Sequence, residues 1–84
     1  MFFVYVLLSL KDNNFYIGFS ENLETRLKDH YEGRNTSTKA RRPLKLIFYE
    51  AYQSKEDALR REKYFKTTKG KSTLKLMLRA TLQL

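Results

Sequence analysis

From Phe2 to Ser9 the chain is apolar on both alternating faces and rich in β-branched and aromatic residues, the pattern of a central strand covered on both sides. Lys11-Asp12-Asn13-Asn14 supplies turn chemistry, and Phe15 to Phe19 follows as a short strand, which predicts an antiparallel hairpin. Gly18 marks a close backbone approach or a bulge. Ser20 or Asn22 can cap a helix whose stripe is Leu23, Leu27 and Tyr31 and which ends near Gly33, with Arg26 and His30 beside the stripe, one turn apart. Residues 34–42 are polar, acid-free and aperiodic, and read as an exposed loop closed by Pro43. Leu44 to Tyr52 predicts a third strand, with Leu44, Leu46 and Phe48 on one face and Ile47, Tyr49 and Ala51 on the other.

Ser54 and Asp57 approximate a capping box for a helix in which Ala58, Leu59 and Phe65 form the apolar face. Glu62 falls between them, and a carboxylate there calls for a cation or a strong donor. That helix is expected to end near Thr68 to Gly70. A last amphipathic helix carries Leu74, Met77, Leu78 and Thr81. The fold class is therefore α+β, a three-stranded antiparallel sheet packed with helices in the order ββαβαα. Residues 1–84 read as a single domain, long enough for one compact core. Whether the apolar stretch Leu74 to Leu84 finishes that core or docks a second copy leaves the oligomeric state open.

Charge adds a partner. The net of +8 is uneven: residues 1–33 hold three Lys/Arg against five Asp/Glu, and the remainder holds fourteen against four. The second part points to a polyanion, with nucleic acid the default for a basic domain and a solvated basic surface the bland reading. Thr36, Ser37, Thr38, Lys39, Arg41 and Arg42 in the loop are all phosphate-binding types. The chain has no cysteine, which excludes disulfides and thiolate metal sites and fits the cytoplasm. The apolar start lacks a basic leader, a cleavage site and the ~20 residues of a membrane span, so no membrane partner is expected.

Tyr5, Tyr16, Arg26, His30 and Glu62 together resemble the GIY-YIG nuclease domain. The second signature stands literally as Tyr16-Ile17-Gly18, and Phe3-Val4-Tyr5 occupies the place of the first, keeping its tyrosine. Eleven residues separate Tyr5 from Tyr16, ten separate Tyr16 from Arg26, and four lead to His30, with Glu62 on a later helix. The likeness covers essentially the whole chain. It is greatest to the small stand-alone bacterial members, related to the N-terminal nuclease of UvrC, which carry stretches like Thr38 to Pro43 and Ala58 to Lys63. Two positions depart from the pattern: Phe3 replaces a glycine, and Leu76 stands where such members often have asparagine.

The resemblance implies hydrolysis of DNA phosphodiesters with one divalent ion, Mg²⁺ or Mn²⁺. Glu62 would hold the metal. Arg26 would grip the scissile phosphate through its planar guanidinium. Tyr5 and Tyr16 would orient or deprotonate the attacking water, and His30 would position a tyrosine or relay a proton. Lys39, Arg41, Arg42, Lys63, Lys66, Lys69 and Lys71 would contact the DNA backbone without reading sequence. Selectivity would then come from DNA shape, as in repair or recombination, or from a protein partner. The alternative is a non-catalytic DNA or RNA binder that keeps the fold. Each residue also has an ordinary explanation: Arg26 paired with Asp29 or Glu24, Glu62 paired with Arg61 or Lys66, His30 packed at a helix end.

Overall fold

The structure, a computed structural model, describes residues 1–83. Its elements are β1 (Phe2–Ser9), β2 (Phe15–Ser20), α1 (Leu23–Tyr31), a 3₁₀ turn (Lys39–Arg41), β3 (Leu44–Tyr52), α2 (Lys55–Phe65), α3 (Thr68–Met77) and a second 3₁₀ turn (Thr81–Gln83). The order ββαβαα and the α+β class are those read from the sequence. The sheet runs β2-β1-β3 and is antiparallel throughout, so the doubly apolar strand is central. Asn13, in the left-handed region at φ 61°, closes the hairpin, and the Asp12 side chain accepts from Asn14 N at 2.9 Å.

The alternation of β1 sorts the core into two layers. Val4 and Val6 face α2 and α3 with Ile17, Ala58, Phe65, Leu74 and Leu78, while Tyr5 and Leu7 face α1 with Leu44. Phe65 alone, wholly buried, contributes roughly 1.5–3 kcal/mol. In β3 the simple alternation fails. Leu46 pairs with Leu7 and Phe48 with Val6, so Ile47 is an extra residue, a bulge that sends Phe48 to the face opposite Leu44 and Leu46.

Asn22 is the cap of α1, accepting from Thr25 N at 3.1 Å, and Ser20 instead braces Asn22. The helix ends in a Schellman turn: Gly33, at φ 76°, donates to His30 O and Arg34 donates to Asp29 O. Its stripe is only half-buried, Tyr31 lies outside it, and the one buried residue is His30. Ser54 caps α2 by position but makes no side-chain bond, and the Asp57 carboxylate, the other half of the expected capping box, accepts from Arg60 at 3.0 Å. Leu59 is 40% exposed, so the buried line of α2 is Ala58 and Phe65, with Arg61 laid over the Phe65 ring at 4.3 Å. Gly70 does not end a helix. It lies inside α3, where a Cβ would stand 1.9 Å from Tyr64 O, so it permits close packing of α3 on the end of α2. Thr67 caps that helix through Gly70 N at 2.9 Å.

The loop of residues 34–43 is more fixed than its composition suggests. Ser9 Oγ donates to Arg41 O at 2.6 Å, Leu10 N donates to Pro43 O at 2.8 Å, and Lys11 Nζ reaches Ala40 O at 3.1 Å. These bonds tie it to the β1–β2 turn and carry Thr38 into the interior, wholly buried.

Candidate active site

Tyr5 and Gly18 are cross-strand partners in β1 and β2. A Cβ on Gly18 would lie 2.3 Å from both Cζ and Oη of Tyr5, so the ring lies across the glycine and carries its hydroxyl over β2. There it meets His30 Nε2 at 2.8 Å, and His30 Nδ1 meets Thr38 Oγ1 at 2.7 Å. All three side chains are wholly buried. Tyr16, half-buried, sets its ring 5.1 Å from the imidazole and 6.4 Å from the Tyr5 ring. Strand alternation puts Tyr5 and Tyr16 on one face, and α1 delivers Arg26 and His30 to the same face one turn apart.

Charge completes the arrangement. Burial, reinforced by Tyr16, holds the Tyr5 phenol well above its usual range; Arg26 opposes this and Glu62 adds to it. Both charged groups therefore act on the Tyr5 hydroxyl from separate helices. Arg26 is half-buried and has no ion pair among the described residues: Asp29 is bound by Arg34, which also holds Glu32. Glu62 side-chain exposure is 18%, and its partner is Lys66 at 3.2 Å, whereas Arg61 is bound to Glu50 at 2.9 Å. Among the described residues no three His, Cys, Asp or Glu groups cluster as a metal site. The donor set is one carboxylate beside a phenol. That set fits a hard divalent ion that keeps water and phosphate oxygens as most of its ligands.

Burial and the Arg26 charge lower the His30 pKa below 6.5, against a smaller opposing effect of Asp29, so His30 is neutral at pH 7. The unfolded chain binds a proton near 6.5 and the folded chain only lower, so stability is full above 6.5 and falls on acidification. Urea unfolding between pH 6.5 and 5 should show this loss, and His30→Gln should flatten it. Asp12, lowered to about 2 chiefly by Arg41, acts only below 3.8 and leaves that window clear.

Lys39, Arg42, Lys63, Lys66, Lys69 and Lys71 are exposed, although Lys66 also pairs with Glu62 and Arg42 Nε donates to Lys39 O at 3.2 Å. Arg41, expected among the phosphate contacts, is instead committed to structure: its Nε bonds Asp12 at 2.8 Å and its Nη2 reaches the carbonyls of Asn14 and Phe15. Thr38, a phosphate-binding type expected in an exposed loop, is buried and faces His30. Its burial depends on the loop anchors at Ser9 and Leu10, for which the local sequence carries no signal. Of the two departures, Leu76 is 68% exposed, and Phe3 packs edge-on against Tyr49 at 6.2 Å.

No helix of the described residues is long and apolar enough to cross a membrane. The family profile GIY-YIG catalytic domain matches residues 1–75. A UPF0213 protein of Limosilactobacillus reuteri is 42% identical over 80 residues, spanning 92% of this chain and 82% of the relative. One from Staphylococcus haemolyticus is 38% identical over 76 residues, 89% and 92% of the two chains. The solution NMR structure of the UPF0213 protein BH0048 from Bacillus halodurans superposes with a TM-score of 0.58 at 32% identity, covering 92% of this chain and 85% of that one. The match runs from β1 into α3, through every element that contributes to the constellation around Tyr5, and the chain belongs to the GIY-YIG nuclease family, among the small bacterial UPF0213 proteins.

Proposed function

We propose that residues 1–84 act as one domain, a divalent-metal-dependent DNA endonuclease of the cytoplasm that selects DNA by shape and serves repair or recombination. The observation that carries this reading is Arg26, a half-buried guanidinium with no ion pair among the described residues, set against the buried Tyr5 and His30. An unpaired cation in that position is held for an anion that arrives. Arg26 binds the scissile phosphate and offsets charge developing on its oxygens.

The two tyrosines divide the work. Tyr5 is buried and keeps its proton, so it acts as a hydrogen-bond donor, while the half-exposed Tyr16 orients the attacking water. Glu62 would hold Mg²⁺ or Mn²⁺, which supplies Lewis-acid stabilisation and a lowered water pKa. Against a purely binding role stands Glu62 itself, because a carboxylate facing a phosphate repels it unless a cation intervenes.

Lys39, Arg42, Lys63, Lys66, Lys69 and Lys71 contact the backbone in this reading, with Arg41 left as a loop anchor. Arg42→Ala should weaken binding about equally on all sequences and lower the salt slope by roughly one unit. Filter binding of two unrelated duplexes across a salt series checks this; a change in sequence preference alone would remove Arg42 from the role.

The function is tested by incubating labelled single-stranded, duplex, flapped and branched DNA with Mg²⁺ or Mn²⁺. Metal-dependent cleavage by the wild type, lost in Arg26→Ala and not restored by Arg26→Lys, is expected. Salt-sensitive binding without cleavage on any of the four would sink the nuclease reading in favour of a binding module, whose targeting would then rest on a protein partner.

A further inference from the structure

Thr38 is wholly buried although Ser37 and Lys39 on either side are exposed. Its hydroxyl has one polar partner among the described residues, His30 Nδ1 at 2.7 Å. The neutral ring has one N–H and one lone pair to divide between Thr38 and Tyr5. Two arrangements satisfy the distances. If Nδ1–H donates to Thr38, the threonine proton is left without an acceptor in a place that neither water nor substrate enters. If Thr38 donates to Nδ1, then Nε2–H donates to the Tyr5 oxygen, and the proton left over is that of Tyr5. Of these two buried hydroxyls, that of Tyr5 borders half-buried groups, with the Tyr16 ring 6.4 Å from its own and the charges of Arg26 and Glu62 acting on it, and the phosphate is bound among these groups in the proposed reaction. A stranded interior hydroxyl costs about 1–3 kcal/mol, and only the second arrangement lets the substrate relieve it.

We infer that Thr38 is a positioning residue for phosphodiester cleavage: its hydroxyl donates to His30 Nδ1, fixes the Nε2–H tautomer, and thereby turns the Tyr5 hydroxyl proton toward the bound phosphate. The inference rests on the nuclease reading for its purpose but on the hydrogen-bond geometry for its content. The loop anchors at Ser9 and Leu10 gain a role from it, since they hold Thr38 inward.

His30 is the only histidine of the chain, so long-range ¹H–¹⁵N spectra of labelled protein report its tautomer without ambiguity. The wild type should show Nε2 protonated and Nδ1 bare. Thr38→Val should release the constraint and populate both tautomers, and Thr38→Ser should restore the wild-type spectrum. Cleavage of a flapped duplex with Mn²⁺ should fall about 10- to 100-fold in Thr38→Val, the scale on which outer partners of functional histidines act, with binding of the same DNA in Ca²⁺ little changed and Thr38→Ser close to wild type. A wild-type Nδ1–H tautomer would overturn the inference, as would a Thr38→Val protein that keeps the Nε2–H form and the full rate, or a serine variant that fails to rescue. If Thr38→Val does not fold, the wild-type and serine spectra decide. A wild type that cuts nothing defeats the nuclease reading alone, because the tautomer is measured without DNA.

Discussion

Replacing Glu62 by alanine should reduce metal-dependent cleavage by at least about 10³-fold, or about 4 kcal/mol of transition-state stabilisation, while fold and DNA binding survive. The expectation follows from how little else Glu62 does. Its structural contact is one ion pair with a Lys66 side chain that is 56% exposed, and such pairs contribute about 0–1 kcal/mol. The buried line of α2 runs through Ala58 and Phe65 and does not need it. Binding should hold or tighten, because a carboxylate is removed from the phosphate path and the Lys66 ammonium loses its partner. Glu62→Gln, which preserves shape, should be as inactive as Glu62→Ala. Rates measured with Mg²⁺ and Mn²⁺, thermal melting and affinity in Ca²⁺ separate the cases. Full cleavage by Glu62→Gln would show that the carboxylate charge is not what the reaction uses.

What could be read from the sequence divides along a physical line. Elements governed by local pattern were legible: β1 by its two apolar faces, the hairpin by Asp12 to Asn14, α1 by Asn22 and Gly33, and the ββαβαα order from all of them. Features that depend on what arrives from a distant part of the chain were not. Gly70 looks like a helix end by propensity, and only the close approach of Tyr64 O makes it a packing residue inside α3. Leu46 and Phe48 look like one face until the Ile47 bulge parts them. Leu59 is apolar like the face of α2 but is 40% exposed, because at about 100° per residue it stands roughly a quarter-turn or more away from the line that Ala58 and Phe65 bury.

The site shows the same division. The positions of Tyr5, Tyr16, Arg26, His30 and Glu62 came from spacing and resemblance, whereas their surroundings came only with tertiary structure. Arg26 could have paired with Asp29 on a solvated face, and it is Arg34 that removes Asp29 from it. Arg41 and Thr38 have the side chains of phosphate ligands, yet Asp12 claims the first and His30 the second. A residue's chemistry suggests what it can bind; the competing partners folded against it decide what it does bind.

Gly18→Ala should be strongly damaging although it adds a single methyl group. Alanine in a strand is ordinarily favoured over glycine by roughly 0.5–1 kcal/mol, so on local grounds the substitution stabilises. Here the new Cβ would stand 2.3 Å from Tyr5 Cζ and Oη and 2.8 Å from Cε1. The ring cannot simply swing aside, since Tyr5 is wholly buried and its hydroxyl is held by His30 at 2.8 Å. Overpacking of this kind costs about 1–3 kcal/mol. At several degrees per kcal/mol for a domain of this size, melting should fall by about 5–20 °C. The displaced phenol also leaves the Arg26 and Glu62 side of the site, and a misplacement of that order costs about 10²-fold in rate. Tyr5→Phe removes one of the two closest atoms, so the double variant should lose less stability than the sum of its parts. A Gly18→Ala protein as stable and as active as the wild type would mean that the ring of Tyr5 does not lie over β2, and the shared environment of Tyr5, His30 and Arg26 would have to be abandoned with it.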